Sequence, residues 1–450
     1  MIEPLEVVWR DEWGRLLALL VAQTRRLDLA EDALADAFER AARTWPEAGM
    51  PDNPPAWLLT AARRRVLDRL RAEAVAARKQ PLLAVEEVRR QEALGFDTAS
   101  PASLRPPTQP AGVGTQPAGA DDLLRLVLLA AHPALSEEAG AALTLRLVLG
   151  ISTADIARLF LVPEPTMAAR LTRARKKVVA AGVPLAIPDD DVLPRRLETV
   201  ARVAYLAFTA GYAPGSGDDV VRAELAGEAI RLVQLVRATG RAAADSPALR
   251  ALLALMLLQH ARRDARVATD GSLVLLPDQD RKAWHRNEID DGLALLGELT
   301  GGSRYALVPR ASRPAAAGVA LESALAAEYV LQALIAAEHA RAPRAQETDW
   351  RAIADYYQQL EQLTGSPVVR LNRAVAVAET GDLDAALGLL DGLDGALPNS
   401  HRLPAVRAEL LVRAGRHTEA GTAYDLAIER CANEPEREQL RSRRDRLTIR

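Results

Sequence analysis

Six histidines and one cysteine carry the broadest chemistry in this 450-residue chain: His132, His260, His285, His339, His401, His417 and Cys431. Imidazole and thiolate ligate transition metals, and together they make a nucleophile with its base. Their spacing points to neither use. No pair stands in the His-Glu-x-x-His pattern that sets two imidazoles on one helical face. One cysteine excludes a disulfide framework and a Cys-rich zinc module, and fits a reducing compartment. A Gly-x-x-x-x-Gly-Lys-Ser/Thr phosphate loop is absent, and Gly215-Ser216-Gly217 lacks the spacing of a nucleophile elbow. The runs Asp189-Asp190-Asp191 and Asp218-Asp219 read as solvated helix starts rather than cation sites, and His132-Pro133 reads as a helix end. We therefore expect no catalytic residue, no metal and no cofactor in a protein that is not an enzyme.

The charge pattern is more informative. The net charge is −3, and only four of the 57 basic residues are lysines, so total arginine content says little. Clustering says more. Seven Arg or Lys fall between Trp57 and Lys79 against Asp68 and Glu73, and five fall between Glu164 and Lys177 against Glu164 alone. Two basic segments in a slightly acidic chain suggest polyanion contacts.

These segments sit in a chain whose apolar residues recur at three- and four-residue steps, with almost no period-two alternation. The fold class is all-α. Apolar content of 49% against 26% charged residues fits a folded soluble protein, and no 18-residue apolar run or signal peptide is visible, so we expect a cytoplasmic chain with no membrane contact. Helices are expected over Leu5–Arg26 and from a cap at Asp28 to a stop at Pro46. After a loop over Pro46–Pro55, a helix from Trp57 to Lys79 would carry Leu58, Ala62, Val66 and Leu70 on one face. Phe96–Ala120 is Pro-rich with few large apolar residues and reads as a linker. Helical pattern resumes over Asp121–Gly182, breaks at Val183–Pro188 and continues, with an irregular loop expected at Tyr305–Ala317.

Ser136–Val178 reads as a helix-turn-helix. Leu143, Leu145, Leu147 and Val148 supply an apolar helix that Gly150 ends. Ser152 or Thr153 caps a short helix with Ile156, Ala157 and Phe160 inward, and the turn is Val162-Pro163-Glu164-Pro165. Thr166 caps the second helix, with Met167 and Leu171 inward and Arg170, Arg173, Arg175, Lys176 and Lys177 outward. Such a helix suits a major groove, where Arg and Lys meet phosphates and guanine edges. A basic, solvated helix in a structural bundle is the plainer alternative; turn position, capping and charge together favour DNA.

Near the C-terminus, Gly381-Asp382-Leu383-Asp384-Ala385-Ala386 and Gly415-Arg416-His417-Thr418-Glu419-Ala420 are 34 residues apart. The same offset joins Ala374 to Ala408 and Leu390 to Tyr424. That period matches tetratricopeptide (TPR) helix pairs. Asp349–Leu363 with Ala320–Ala340 reads as a degenerate upstream copy.

An acidic helix, a loop, a basic helix, a linker and a helix-turn-helix, in that order, resemble a bacterial RNA polymerase sigma factor of the extracytoplasmic-function (ECF) type. Asp28-Leu29-Ala30-Glu31-Asp32-Ala33-Leu34-Ala35-Asp36-Ala37-Phe38 resembles region 2.2, which docks on the polymerase clamp helices. Pro54-Pro55-Ala56-Trp57-Leu58-Leu59-Thr60-Ala61-Ala62-Arg63-Arg64-Arg65 resembles regions 2.3 and 2.4, which melt and read the −10 element, and Ser152–Lys177 resembles region 4.2, which reads the −35 element. The remainder resembles an ECF group with a TPR-like C-terminal extension, through Leu193–Leu197, Ser216–Asp219, Glu228–Leu232, Asp278–Trp284 and Leu363–Ala374. Thr209-Ala210-Gly211-Tyr212 stands where that group often has Asn-Glu-Gly-Tyr, and Ala168-Ala169 where many ECF factors carry polar base-reading residues.

The resemblance implies region 2 over 1–80, a linker over 81–121, region 4 over 122–182, a helical extension over 189–345 and TPR-like repeats over 346–450. It implies Glu31, Asp32, Asp36 and Arg40 as polymerase contacts, and Arg63, Arg64, Arg69 and Arg71 as −10 contacts. Thr166, Ala168, Arg170, Arg173, Arg175, Lys176 and Lys177 would meet the −35 element. Partners would be core RNA polymerase, promoter DNA and a peptide or protein on the TPR-like surface. Trp45 and Trp57, near the −10 helix, read as core. The alternative is a one-component helix-turn-helix regulator with a ligand-sensing helical domain, which would bind DNA without polymerase.

Overall fold

The computed structural model describes residues 4–92, 120–160, 162–212, 223–239, 245–268, 274–301 and 323–448. Residues 93–119 of the linker expected over 81–121, the loop at Tyr305–Ala317 and the Ser216–Asp219 motif lie outside the described residues. What is described is helical, in two compact units. Among these residues no helix is long and apolar enough to cross a membrane.

The first unit holds α1 (Pro4–Thr24), α2 (Leu27–Ala48) and α3 (Pro54–Glu92), together with the segments 120–126 and 147–150. Its core is Trp13, Leu16, Leu17 and Leu20 of α1, Leu27, Leu34, Phe38 and Ala41 of α2, and Leu58, Ala62 and Val66 of α3. The α2 residues recur at steps of seven, four and three, one face of a helix. Trp9 stacks on Trp13 at 4.3 Å and meets Phe38 edge-on at 4.6 Å. Trp9 Nε1 donates to the Gly150 carbonyl at 3.2 Å. A Cβ on Gly150, whose φ is +69°, would lie 2.8 Å from both indoles, so only glycine fits under this aromatic pair.

Five local expectations need correction. Helix α2 does not stop at Pro46 but runs through it to Ala48, and Asp28 lies inside its first turn beside Arg26 (3.2 Å) rather than capping it. A proline this close to the C-terminus forfeits one backbone bond only, and Gly49, with φ +81°, ends the helix instead. Helix α3 starts three residues early, where Pro54 and Pro55 need no N–H partner and Asn53 Oδ1 accepts from Ala56 N at 3.1 Å; it continues to Glu92, into the expected linker. Leu70, expected on the face of Leu58, Ala62 and Val66, is 39% exposed while those three are buried. Steps of four overshoot the 3.6-residue turn by about 40° each, so the line Leu58–Ala62–Val66 has rotated out of the core by Leu70.

In the second unit, the rest of α4 (Ala120–Ala130) and of α5 (Glu137–Leu147) precede α6 (Thr153–Leu159) and α7 (Glu164–Ala180). The extension then begins with α8 (Leu193–Tyr212), α9 (Ala223–Arg237), α10 (Pro247–His260), α11 (Arg286–Thr300) and α12 (Ala324–Arg341). Helix α10 is buried from Ala248 to Leu258 apart from the half-buried Arg250, as expected of a helix apolar on nearly every side, and α8, α9, α11 and α12 surround it. The Asp278–Trp284 motif serves this bundle. Arg281 is 8% exposed, lies 4.8 Å from the Trp284 ring, and donates to the Ala342 carbonyl at 2.6 Å and to that of His339. Nearby, Glu288 accepts from Arg263 Nη1 and faces His260 Nδ1, both at 2.9 Å; burial would raise its pKa, but these bonds outweigh burial and hold it low.

The C-terminal helices are α13 (Trp350–Thr364), α14 (Pro367–Glu379), α15 (Leu383–Leu389), the short α16 (Leu393–Ala396), α17 (Arg402–Arg413), α18 (His417–Arg430) and α19 (Glu434–Thr448). Positions 34 residues apart are structurally equivalent. Ala374 and Ala408 are fully buried where helices cross, Leu390 and Tyr424 are buried, and Gly381 and Gly415 both turn the chain at positive φ. Small residues at such crossings let the backbones approach closely.

Helix α8 touches α4 and α5 through individual side chains. Arg196 Nη2 donates to the Leu128 carbonyl of α4 at 2.6 Å, and Arg202 pairs with Glu137 of α5 at 3.3 Å. A Cβ on Gly140 would touch Val203 at 3.4 Å.

Candidate polymerase and nucleic-acid interface

The acidic face of α2 and the basic face of α3 are built side by side. Asp36 accepts from Arg65 Nε at 2.5 Å, and Asp32, Asp36, Arg65 and Arg69 line a shallow cleft over Leu29, Ala33 and Ala35. Asp32 is exposed and Asp36 half-buried. Glu31 departs from expectation: it is 6% exposed, not a free surface carboxylate. It occupies the 27–31–34–38 stripe that faces the core, so helical periodicity turns it inward. Arg40 is exposed, its guanidinium 6.0 Å from the ring of Trp57, and Trp57 meets Trp45 edge-on at 5.5 Å. Trp45 is buried and Trp57 half-buried.

The four arginines expected at the −10 element do not share one face. At 100° per residue, Arg64 and Arg71 point away from the buried line, Arg63 flanks α1 and Arg69 flanks α2. Arg63 Nε donates to Gln23 at 3.1 Å, and Arg71 faces Asp68 at 3.4 Å. Arg69 lies 3.8 Å from Glu73, which also takes Arg26 at 2.6 Å. Arg64 stands exposed with no ion pair among the described residues.

The helix-turn-helix forms for local reasons. Gly150 turns the chain, and Ser152 Oγ accepts from Asp155 N at 3.1 Å, capping α6. Ile156, Ala157 and Leu159 are buried; Phe160, expected inward, is half-buried, and Leu159 takes its place. Pro163 starts α7, with its carbonyl accepting from Thr166 N and Met167 N, so Thr166 is a first-turn residue and not the cap. Helix α7 spans about 25 Å and buries Met167, Leu171, Ala174 and Val178. Thr166, Arg170, Arg173 and Lys177 lie along one flank of α7, about a quarter turn from the buried line, with Lys176 beside them. Thr166, Arg173, Lys176 and Lys177 are exposed. Arg170 is half-buried and pairs with Glu138 of α5 at 3.3 Å, at the helix seam. Ala168 and Arg175 lie on a different side of α7 from the basic stripe, about half a turn round. The structure thus gathers Thr166, Arg170, Arg173, Lys176 and Lys177 on one side, with Arg170 tied to Glu138, and separates Ala168 and Arg175 from them.

A basic stripe of this shape supplies phosphate contacts and side chains long enough to reach base edges. Comparison with known proteins agrees with the geometry. Residues 11–75 match Sigma-70 region 2, and residues 125–178 match Sigma-70, region 4. Residues 196–300 match a family of unknown function, DUF6596. A protein of Rhizobium meliloti (strain 1021), "Uncharacterized protein R00370", is 37% identical over 431 residues, covering 96% of this chain and 93% of that protein. No solved structure matches significantly. With the acidic–basic helix pair of region 2 and the helix-turn-helix of region 4 in one chain, the protein belongs to the sigma-70 family of RNA polymerase sigma factors, which bind core polymerase and promoter DNA.

Proposed function

We propose that this is a sigma factor of the ECF type whose C-terminal extension controls its activity in cis. The observation that carries the reading is the docking of α8 on α4 and α5 through Arg196–Leu128, Arg202–Glu137 and Val203–Gly140. The extension therefore meets α5, which α7 also meets through Arg170–Glu138. Asp32 and Asp36, with Arg40, would meet core polymerase, and Glu31 would hold α2 in place from within. Arg63, Arg64 and Arg71 would hold the −10 strand, with Arg69 closing the cleft on the acidic side. Thr166, Arg173, Lys176 and Lys177 would read the −35 element, and Ala168 and Arg175 would touch it only at its edge. The paired helices α14–α15 and α17–α18 suit a TPR-like surface for a peptide or protein.

The test is run-off transcription with purified core polymerase. Full-length protein and a chain ending at Gly182 are compared with a seam variant, Arg196→Ala with Arg202→Ala. We expect both altered proteins to lose most promoter-dependent transcript. Equal output from all three would exclude control in cis. A gel shift in which the protein binds its promoter equally well without core would instead favour a one-component regulator.

A further inference from the structure

The one cysteine of the chain is not isolated in space. His401 precedes α17, Cys431 ends α18, and Glu436 lies in the first turn of α19, yet their donor atoms all fall within 4.8 Å of one another. His401 Nε2 faces Glu436 Oε2 at 2.9 Å. Cys431 is 2% exposed, and its Sγ donates to the Asn433 carbonyl at 3.4 Å. Asn433 in turn fixes α19, its Oδ1 accepting from Glu436 N at 3.0 Å. No other such group occurs among the described residues.

Two functions could use these groups. In a cysteine nucleophile, one imidazole nitrogen takes the thiol proton while an acid orients the other. Here the thiol bonds to a backbone carbonyl, and Nε2 is occupied by the carboxylate, so the relay is not assembled. A metal site asks only that the three donors converge, which they do. Sulfur, imidazole nitrogen and carboxylate oxygen together suit a borderline ion such as Zn²⁺. With bonds of roughly 2.0–2.3 Å, tetrahedral donors stand about 3.3–3.7 Å apart, so adjustments of about 1 Å close the set. His401 and Glu436 are 25% and 32% exposed, which leaves an entry path and a fourth position open to solvent.

We propose that His401, Cys431 and Glu436 bind one divalent transition metal of the zinc class, fastening α19 to the α17–α18 pair. The site joins residues 35 apart in sequence across three helix ends, so occupancy ties the last repeat to the C-terminal helix. The hydrogen bonds present without metal would then hold the ligands near their bound positions.

The experiment is a Co²⁺ titration of the metal-free full-length protein, followed by competition with Zn²⁺. The expected result is one Co²⁺ per chain with a sulfur-to-cobalt charge-transfer band, which only Cys431 can supply. Cys431→Ser should abolish the band. His401→Ala and Glu436→Gln should each weaken binding by more than the roughly 10–100-fold that loss of a supporting hydrogen-bond partner of a ligand costs. Circular dichroism checks that each variant folds; should Cys431→Ser fail, the partly exposed His401 decides. No saturable band, or an unchanged affinity in His401→Ala, would overturn the site.

Discussion

Arg170 and Arg173 stand about one turn apart on α7 and do different work. Arg170 is spent on Glu138, while Arg173 is exposed on the basic stripe. Arg173→Ala should therefore cost about 1–3 kcal/mol of −35 discrimination if it meets a base edge, or lower the salt slope of binding by about one if it meets a phosphate. Arg170→Ala should chiefly loosen the α5–α7 seam, seen as a lower melting temperature with the same base preference. Competition binding against single-substituted promoters separates the two. In region 2, Asp32 is the carboxylate of the cleft free to meet a partner, since Asp36 is held by Arg65. Asp32→Arg should weaken capture of core polymerase several-fold with helical content intact; unchanged capture would remove this residue from the interface.

Among the elements, α12 carries the clearest pH signature. Burial, and then Arg262 and Arg281, push His339 from the ordinary 6.5 down to about 3. A group with a depressed folded pKa contributes stability that is fully present above its unfolded value and is lost as pH falls towards the folded one. The protein should thus lose stability between about pH 6.5 and about pH 3, and His339→Leu should flatten that part of the curve. Denaturant titrations at several pH values would check this; parallel curves for both proteins would refute it. Helix existence and the two sigma-70 regions were legible because helical periodicity and charge clustering are local signals. Ser152 was readable as a cap for the same reason. The ends of α2 and α3 were not: Pro46 and the Pro54-Pro55 pair mark boundaries only loosely, since tertiary packing decides how far a turn continues. Nor was the inward turn of Glu31, where residue type argued for the surface and position for the core. The His401–Cys431–Glu436 convergence carries no spacing signal, because three helix ends bring it together.

At the scale of the whole molecule, the extension is not an appendage. Its first helix lies on α4 and α5, and the second unit contains most of region 4 along with every later helix. A cut after Gly182 consequently removes the partner of Leu128 and Gly140, and such a chain should show lower region 4 stability in hydrogen exchange as well as altered transcription. The shared packing also limits how such proteins can be reassembled. Recombination between relatives would tolerate a crossover in residues 93–119 where Trp9, Trp13 and Gly150 are all kept, since it leaves region 4 with its own α8, but not one in the short stretch between α7 and α8. Chimeras joined at the first position should be active when region 2 comes from a relative of similar sequence. Those joined at the second should fail unless Gly140, Arg196, Arg202 and Val203 travel together, so region 4 and the extension would be inherited as a single block.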